Sequence, residues 1–223
     1  MEGFTDMKQS RLLTVMVLLL VTMCFGATQA DIAPSVVQST RAATVIVQVR
    51  EKDEKDFSSN GTGWFYESKN LVVTAKHVVT DSTSECKVIM FDGQTIEVTN
   101  VKVSQDADVA LLQLKSEPKS KVKPLTLAKK EAALGETVYT IGHPYMQFQF
   151  LLTVGRVTHE SFLPGAFLTS ATLIPGNSGG AFCNVKGEVV GLAVATFDGS
   201  ETINVGVNLE TLKKSLVKLK SSK

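Results

Sequence analysis

From Ala43 to Val207 the chain alternates short runs of β-branched, aliphatic and aromatic residues with clusters of Asn, Asp, Gly and Lys. It keeps almost no apolar repeat of three or four residues, so the pattern is that of an all-β fold. In the first half the predicted strands are Thr44 to Val49, Trp64 to Tyr66, Leu71 to Thr74, Lys87 to Phe91, Thr95 to Val98 and Val109 to Leu114. Turns are expected at Asp53 to Asp56, Asn60-Gly61, Lys69-Asn70 and Asp92-Gly93, where Asn, Asp and Gly tolerate hairpin backbone angles. The second half supplies Thr137 to Ile141, Leu151 to Thr158, Ala166 to Thr172, Ala181 to Val185, Glu188 to Ala195 and Thr202 to Val207, with a hairpin at Gly187. Helical spacing is confined to the tail, where Leu209, Leu212, Leu216 and Leu219 recur every three or four residues among lysines. Such a helix packs on its own domain.

Two segments interrupt this pattern. Lys8 and Arg11 precede an uncharged run, Leu12 to Phe25, and the small residues Gly26-Ala27-Thr28-Gln29-Ala30 follow it. This is the layout of a secretory signal peptide, with cleavage expected near Ala30 and a retained anchor as the alternative. As a helix the run rises about 21 Å, short of the roughly 30 Å hydrocarbon core, which disfavours the anchor. Residues 115–130 hold six Lys and two Pro with few large apolar side chains, and read as a solvated linker between two lobes, 37–114 and 131–208.

Composition narrows the function classes. The chain has 223 residues with 23 basic against 22 acidic side chains, a formal net charge of +1, 43% hydrophobic and 20% charged residues. That length allows one domain or two small lobes. A balanced charge creates no broad field for nucleic acid, and the apolar content excludes a disordered chain. Three cysteines, with Cys24 inside the signal run, do not build a disulfide framework. Three scattered histidines show no metal-ligand spacing, and no glycine loop cradles a phosphate ahead of a helix, so neither metal nor cofactor is expected.

Candidate chemistry centres on Ile174-Pro175-Gly176-Asn177-Ser178-Gly179-Gly180. Glycines on either side let the backbone turn sharply, expose a hydroxyl and bring N–H groups together, and the N–H groups of Gly176 and Ser178 are placed to form an oxyanion hole. The bland alternative is a glycine-rich hairpin with an incidental Ser. A serine nucleophile needs a base, and the candidates are His77, His143 and His159. His77 follows the strand ending at Thr74, a position that presents side chains to a cleft; His143 and His159 sit in turn-like or polar contexts. An orienting carboxylate is offered by Asp106 or Asp108 at the head of the run Val109 to Leu112, and spacing does not choose between them.

These residues resemble the chymotrypsin-fold serine peptidases, and more closely the exported HtrA/DegP-like proteases. The resemblance lies in Gly61-Thr62-Gly63-Trp64, Leu71 to Val79 around His77, Asp108 to Leu112, and Gly176 to Gly180 followed by Gly187 to Gly191, in the order His, Asp, Ser. It covers about residues 34 to 210 and implies two antiparallel six-stranded β-barrels with a cleft between them, followed here by the short helix 209–220. It further implies His77 as general base, Asp108 rather than Asp106 as its partner, Ser178 as nucleophile, and polypeptide substrates. Leu173, Ala195 and Val205 would line an apolar primary pocket. Thr172 stands where trypsin-like members carry the acid that selects Lys or Arg, so small or medium aliphatic residues are expected before the scissile bond. The resemblance does not extend to the PDZ domain usual in that group. Since the two lobes separate Cys86 from Cys183, each is expected to be a buried free thiol. The functional expectation is an exported serine endopeptidase, residues 31–223, without a stable membrane anchor once the signal is removed. The runner-up is a non-catalytic or chaperone-like module that holds an extended peptide in the same cleft.

Overall fold

The computed structural model describes residues 31–50, 56–57, 59–79, 85–144, 149–196, 200 and 203–222, and the expected signal peptide and its Cys24 lie outside them. Ile32–Lys223 forms one compact unit. It opens with a helix that the strand pattern does not announce, α1 (Pro34–Ala43), carrying Pro at the first turn where its missing N–H costs nothing. The first six strands follow: β1 (Thr44–Arg50), β2 (Ser59–Phe65), β3 (Leu71–Thr74), β4 (Glu85–Met90), β5 (Thr95–Val103) and β6 (Ala110–Leu114). They close in the order β1-β2-β3-β6-β5-β4 with every pairing antiparallel. After the linker come β7 (Thr137–Gly142), β8 (Leu151–Leu163), β9 (Ala166–Thr169), β10 (Ala181–Asn184), β11 (Val189–Thr196) and β12 (Asn204–Asn208). These close in the order β10-β11-β12-β9-β8-β7, so neither sheet leaves an open edge. The two-barrel architecture is as the resemblance implied, and the short C-terminal helix is as the leucine spacing predicted.

Several details differ from the strand pattern, among them β5, which runs on to Val103 instead of ending at Val98. Asn60-Gly61 belongs to β2, opposite Gln48 and Val47, and is not a turn. A Cβ on Gly61 would lie 2.6 Å from the Val78 methyls, so glycine serves close packing there. β8 runs on to Leu163 through register shifts between Val157 and His159 and between His159 and Leu163, whereas β9 stops at Thr169.

Barrel one is filled by Val45, Val47, Trp64, Phe65, Val72, Val73 and Leu112; Val138, Phe167, Phe182 and Val190 fill part of barrel two. The larger core also takes in Tyr139, Ile141, Cys183 and Leu192 of barrel two, so apolar packing is continuous between the barrels. The linker bridges to both, Leu125 with Tyr66 and Leu127 with Val189. The final helix, α2 (Leu209–Ser221), starts where Asn208 Oδ1 accepts the Thr211 N–H at 3.0 Å. Glu131 accepts the N–H groups of Leu209 and Glu210, placing negative charge at the positive end of the helix. Its buried face is Leu209, Leu212, Ser215, Leu216 and Leu219, packed on β6, β11 and β12. Cys86 and Cys183 are free and buried, one in each barrel, and burial pushes both thiols up to about 12.

Candidate active site

β3 ends at Thr74, and the chain enters a single 3-10 turn, Lys76–Val79, whose Val78 and Val79 are buried. Those apolar anchors leave the preceding His77 with a side chain 46% exposed. The loop between β5 and β6 closes on itself, Ser104 N–H donating to the Val109 carbonyl and Val109 N–H to that of Ala107. The closure brings Asp108 under the histidine. His77 Nδ1 lies 2.6 Å from Asp108 Oδ2, and the His77 backbone N–H donates to Oδ1 at 2.9 Å. An ionised carboxylate only accepts, so Nδ1 carries a proton and the neutral ring keeps Nε2 as its basic atom. Burial acts to raise the Asp108 pKa, but hydrogen bonds from the His77 ring and backbone, the attraction of that ring whenever it is protonated, and the Lys76 N–H outweigh it and hold the carboxyl below its usual range. Of the two aspartates, Asp108 reaches His77, while Asp106 pairs with Lys218 of α2. His143 and His159 are not part of this arrangement: His143 is fully buried, and His159 Nδ1 accepts the Ser161 N–H.

Ser178 sits in the loop joining β9 to β10. Gly176 and Gly179 have φ of +108° and +86°, the left-handed region that side chains disfavour. A Cβ on Gly179 would fall 2.2 Å from the Thr62 carbonyl oxygen, so this loop lies directly against β2. Thr62 clamps it twice, its N–H donating to the Ser178 carbonyl at 2.8 Å and its hydroxyl to that of Gly176 at 2.7 Å. The N–H groups of Asn177, Gly179 and Gly180 donate to the carbonyls of Ile174, Ala193 and Asn177. Those of Gly176 and Ser178 donate to no acceptor among the described residues, the state an oxyanion hole requires. The Ser178 hydroxyl donates to the Val194 carbonyl at 3.0 Å, so in this rotamer its proton is not on the path to His77.

Beside Ser178 lies a cavity of about 250 Å³ lined by Leu173, Ile174, Pro175, Ser178, Val194 and Thr196. Leu173, expected to line a primary pocket, is one of the residues around this cavity. Val205 is half-buried on β12, opposite Ala195 and Leu168, and is not among the lining residues. Its neighbour Asn204 pairs with Thr196 and accepts the Leu173 N–H on Oδ1 at 3.2 Å, tying two walls of the cavity together. The side chain of Ala195 is outside the described residues. Thr62 and Asn204 were not singled out from sequence. Thr62 lies inside the glycine motif Gly61-Thr62-Gly63-Trp64, but nothing local to Asn204 marks it, because its partner is 31 residues away. Among the described residues no group of His, Cys, Asp and Glu is arranged to hold a metal ion.

Residues 61–192, which carry His77, Asp108 and Ser178, match the family model of the trypsin-like peptidase domain. The chain belongs to this trypsin-like peptidase family. It is 30% identical over 159 residues to a "Probable periplasmic serine endoprotease DegP-like" of Chlamydia pneumoniae, a match covering 68% of this chain and 32% of the relative. With serine endoprotease DegS of Escherichia coli (strain K12) it shares 29% identity over 173 residues, 72% of this chain and 48% of that one. The chain thus spans about a third to a half of the curated relatives it matches. A crystal structure of the serine endoprotease from Yersinia pestis superposes with a TM-score of 0.72 at 25% identity, covering 82% of this chain and 65% of that chain. The matched residues span the His77 turn, the Asp108 loop and the Ser178 loop, three separate stretches of chain.

Proposed function

We propose that this peptidase-family chain is an exported serine endopeptidase that hydrolyses peptide bonds through an acyl-enzyme. The observation that carries the reading is the pair of bonds from His77 to Asp108, which sets the tautomer that leaves Nε2 free to act as base. In the proposed cycle Ser178 rotates from Val194 towards His77, gives up its proton to Nε2 and attacks the substrate carbonyl. The Gly176 and Ser178 N–H groups take the oxyanion, and the imidazolium, stabilised by Asp108, passes the proton to the leaving amine. Water then repeats the sequence on the acyl-enzyme. Leu173, Ile174 and Val194 give the cavity its apolar character, which supports a preference for small or medium aliphatic residues before the scissile bond. Export is supported by the signal-like residues 1–30 and by the "periplasmic" name of the DegP-like relative.

The Ser178–Val194 bond is the one observation favouring the second reading, a cleft that holds peptides without cleaving them. Labelling the purified protein with a fluorophosphonate and weighing it intact separates the two. A single adduct absent from Ser178→Ala and His77→Ala supports the peptidase, whereas a folded, unlabelled wild type supports the binding module. Among labelled, active preparations, peptides with Val or Ala before the scissile bond should be cut faster than those with Arg; the reverse order would discard the apolar pocket.

A further inference from the structure

Buried polar atoms that meet no hydrogen-bond partner among the described residues gather behind the Ser178 loop: His143 Nε2, both side-chain amide atoms of Asn177, and Thr140 Oγ1. The end of β7 lies flat against this loop. A Cβ on Gly142 would sit 2.3 Å from Asn177 Oδ1, one on Gly180 2.8 Å from Thr140 Oγ1, and one on Gly176 2.2 Å from the His143 carbonyl oxygen. The His143 main chain is therefore the wall on which Gly176 rests. On its other side the His143 ring accepts the Phe150 N–H on Nδ1 at 3.2 Å and meets the Phe150 ring edge to face, centroids 4.3 Å apart. Phe150 has φ +57°, a left-handed conformation that a bulky residue adopts only where its surroundings impose it. The stack continues through Phe91, 5.0 Å from Phe150, to the Arg41 guanidinium 4.3 Å over Phe91.

We infer that His143 is a positioning residue for the oxyanion loop: its ring seats the left-handed Phe150 while its own carbonyl backs Gly176. The inference rests on the reading of Gly176 as an oxyanion donor. Nδ1 accepts from Phe150, so the ring proton is on Nε2 and the imidazole must be neutral to fill this role. A protonated ring would turn a second N–H toward the Phe150 N–H. Burial pushes His143 down to about 3, with the Val45 carbonyl of β1 acting weakly the other way. The elements packed around the ring bring that carbonyl, the Phe150 N–H and, beyond Phe91, the Arg41 cation; no carboxylate among the described residues helps retain a proton.

The test uses the full chain with two substitutions, His143→Phe, which keeps a ring but loses the acceptor, and His143→Asn, which keeps an acceptor near the Nδ1 position. Measured are kcat and KM on an unstructured peptide substrate, the rate of phosphonylation by a fluorophosphonate and the affinity of a peptide boronate, alongside thermal melting. The expected result is that His143→Phe, still folded, loses about 10- to 100-fold in kcat and in boronate affinity with KM nearly unchanged, the pattern of an interaction made in the transition state. His143→Asn should recover at least tenfold of that loss. A folded His143→Phe with wild-type kcat, a loss confined to KM, or a failure of His143→Asn to recover any activity would overturn the inference. If His143→Phe does not fold, His143→Leu, which also lacks the acceptor and is closer to His in volume, takes its place: a drop in kcat matched by boronate affinity supports the inference, and an unchanged kcat sinks it. A wild type that neither cleaves nor labels would sink the peptidase reading itself, an outcome distinct from each of these.

Discussion

Asp106 and Asp108 are separated by one residue, yet one bonds to the histidine and the other to a surface lysine. The difference arises because Val109 is buried and its carbonyl is held by Ser104, which turns the residue just before it inward. Asp108→Asn should therefore lower kcat by about 10⁴-fold through the wrong imidazole tautomer, while Asp106→Asn leaves kcat near wild type. Steady-state kinetics on both variants checks the assignment, and a reversed outcome would transfer the role to Asp106. Spacing in the sequence could not make this distinction, because both acids lie on the same face of an extended chain. The motif around Ser178 was legible for the opposite reason: its glycines answer to backbone constraints that are local. The clamp by Thr62 and the wall at His143 were not, since each depends on a partner more than thirty positions away.

Helix α2 is the element whose periodicity was plainest, with one leucine per turn on the buried side. Its placement is less obvious. Leu209 enters the barrel-two core, whereas Leu212, Leu216 and Leu219 enter the larger core that includes barrel one. Ser215 Oγ meets Ser104 Oγ at 3.3 Å, at the root of the loop that carries Asp108. Leu216→Ala should cost about 2–5 kcal/mol of stability by leaving a cavity under this helix, read from urea denaturation midpoints; a shift near zero would show that the helix is dispensable to the core. α1 escaped the pattern because its buried positions include Thr40, which is held by a 2.7 Å hydrogen bond to the Tyr139 hydroxyl instead of by apolar periodicity. The Asn60-Gly61 pair misled in a similar way. Its glycine answers to Val78 across the barrel and not to a hairpin angle.

For the molecule as a whole, the acid side of its stability curve should carry the signature of His143. The folded state holds this group near 3, against about 6.5 in an unfolded chain. Between those values the unfolded chain binds a proton that the native state refuses, so stability falls as pH falls. The loss should approach 2 kcal/mol between pH 7 and pH 5, above the range where carboxylates titrate, and should vanish from the same comparison in His143→Asn. Denaturant titrations at the two pH values measure it, and an equal slope in both proteins would remove His143 as the cause. The two closed barrels explain why such a group stays dry. The residues from Ala43 onward encode strand after strand through alternation and turn chemistry, which are properties of neighbouring residues, and these already specify an all-β chain with a serine loop, a histidine turn and an acidic strand head. Bringing the three together is a property of barrel closure. Only when β3 pairs with β6 does Asp108 come under His77, and only when barrel two packs on β2 does Thr62 reach the Ser178 loop. The pocket walls, the rotamer of Ser178 and the buried station of His143 follow from contacts between segments far apart in the chain, which hydrophobic patterning does not encode because any apolar face packs on any other.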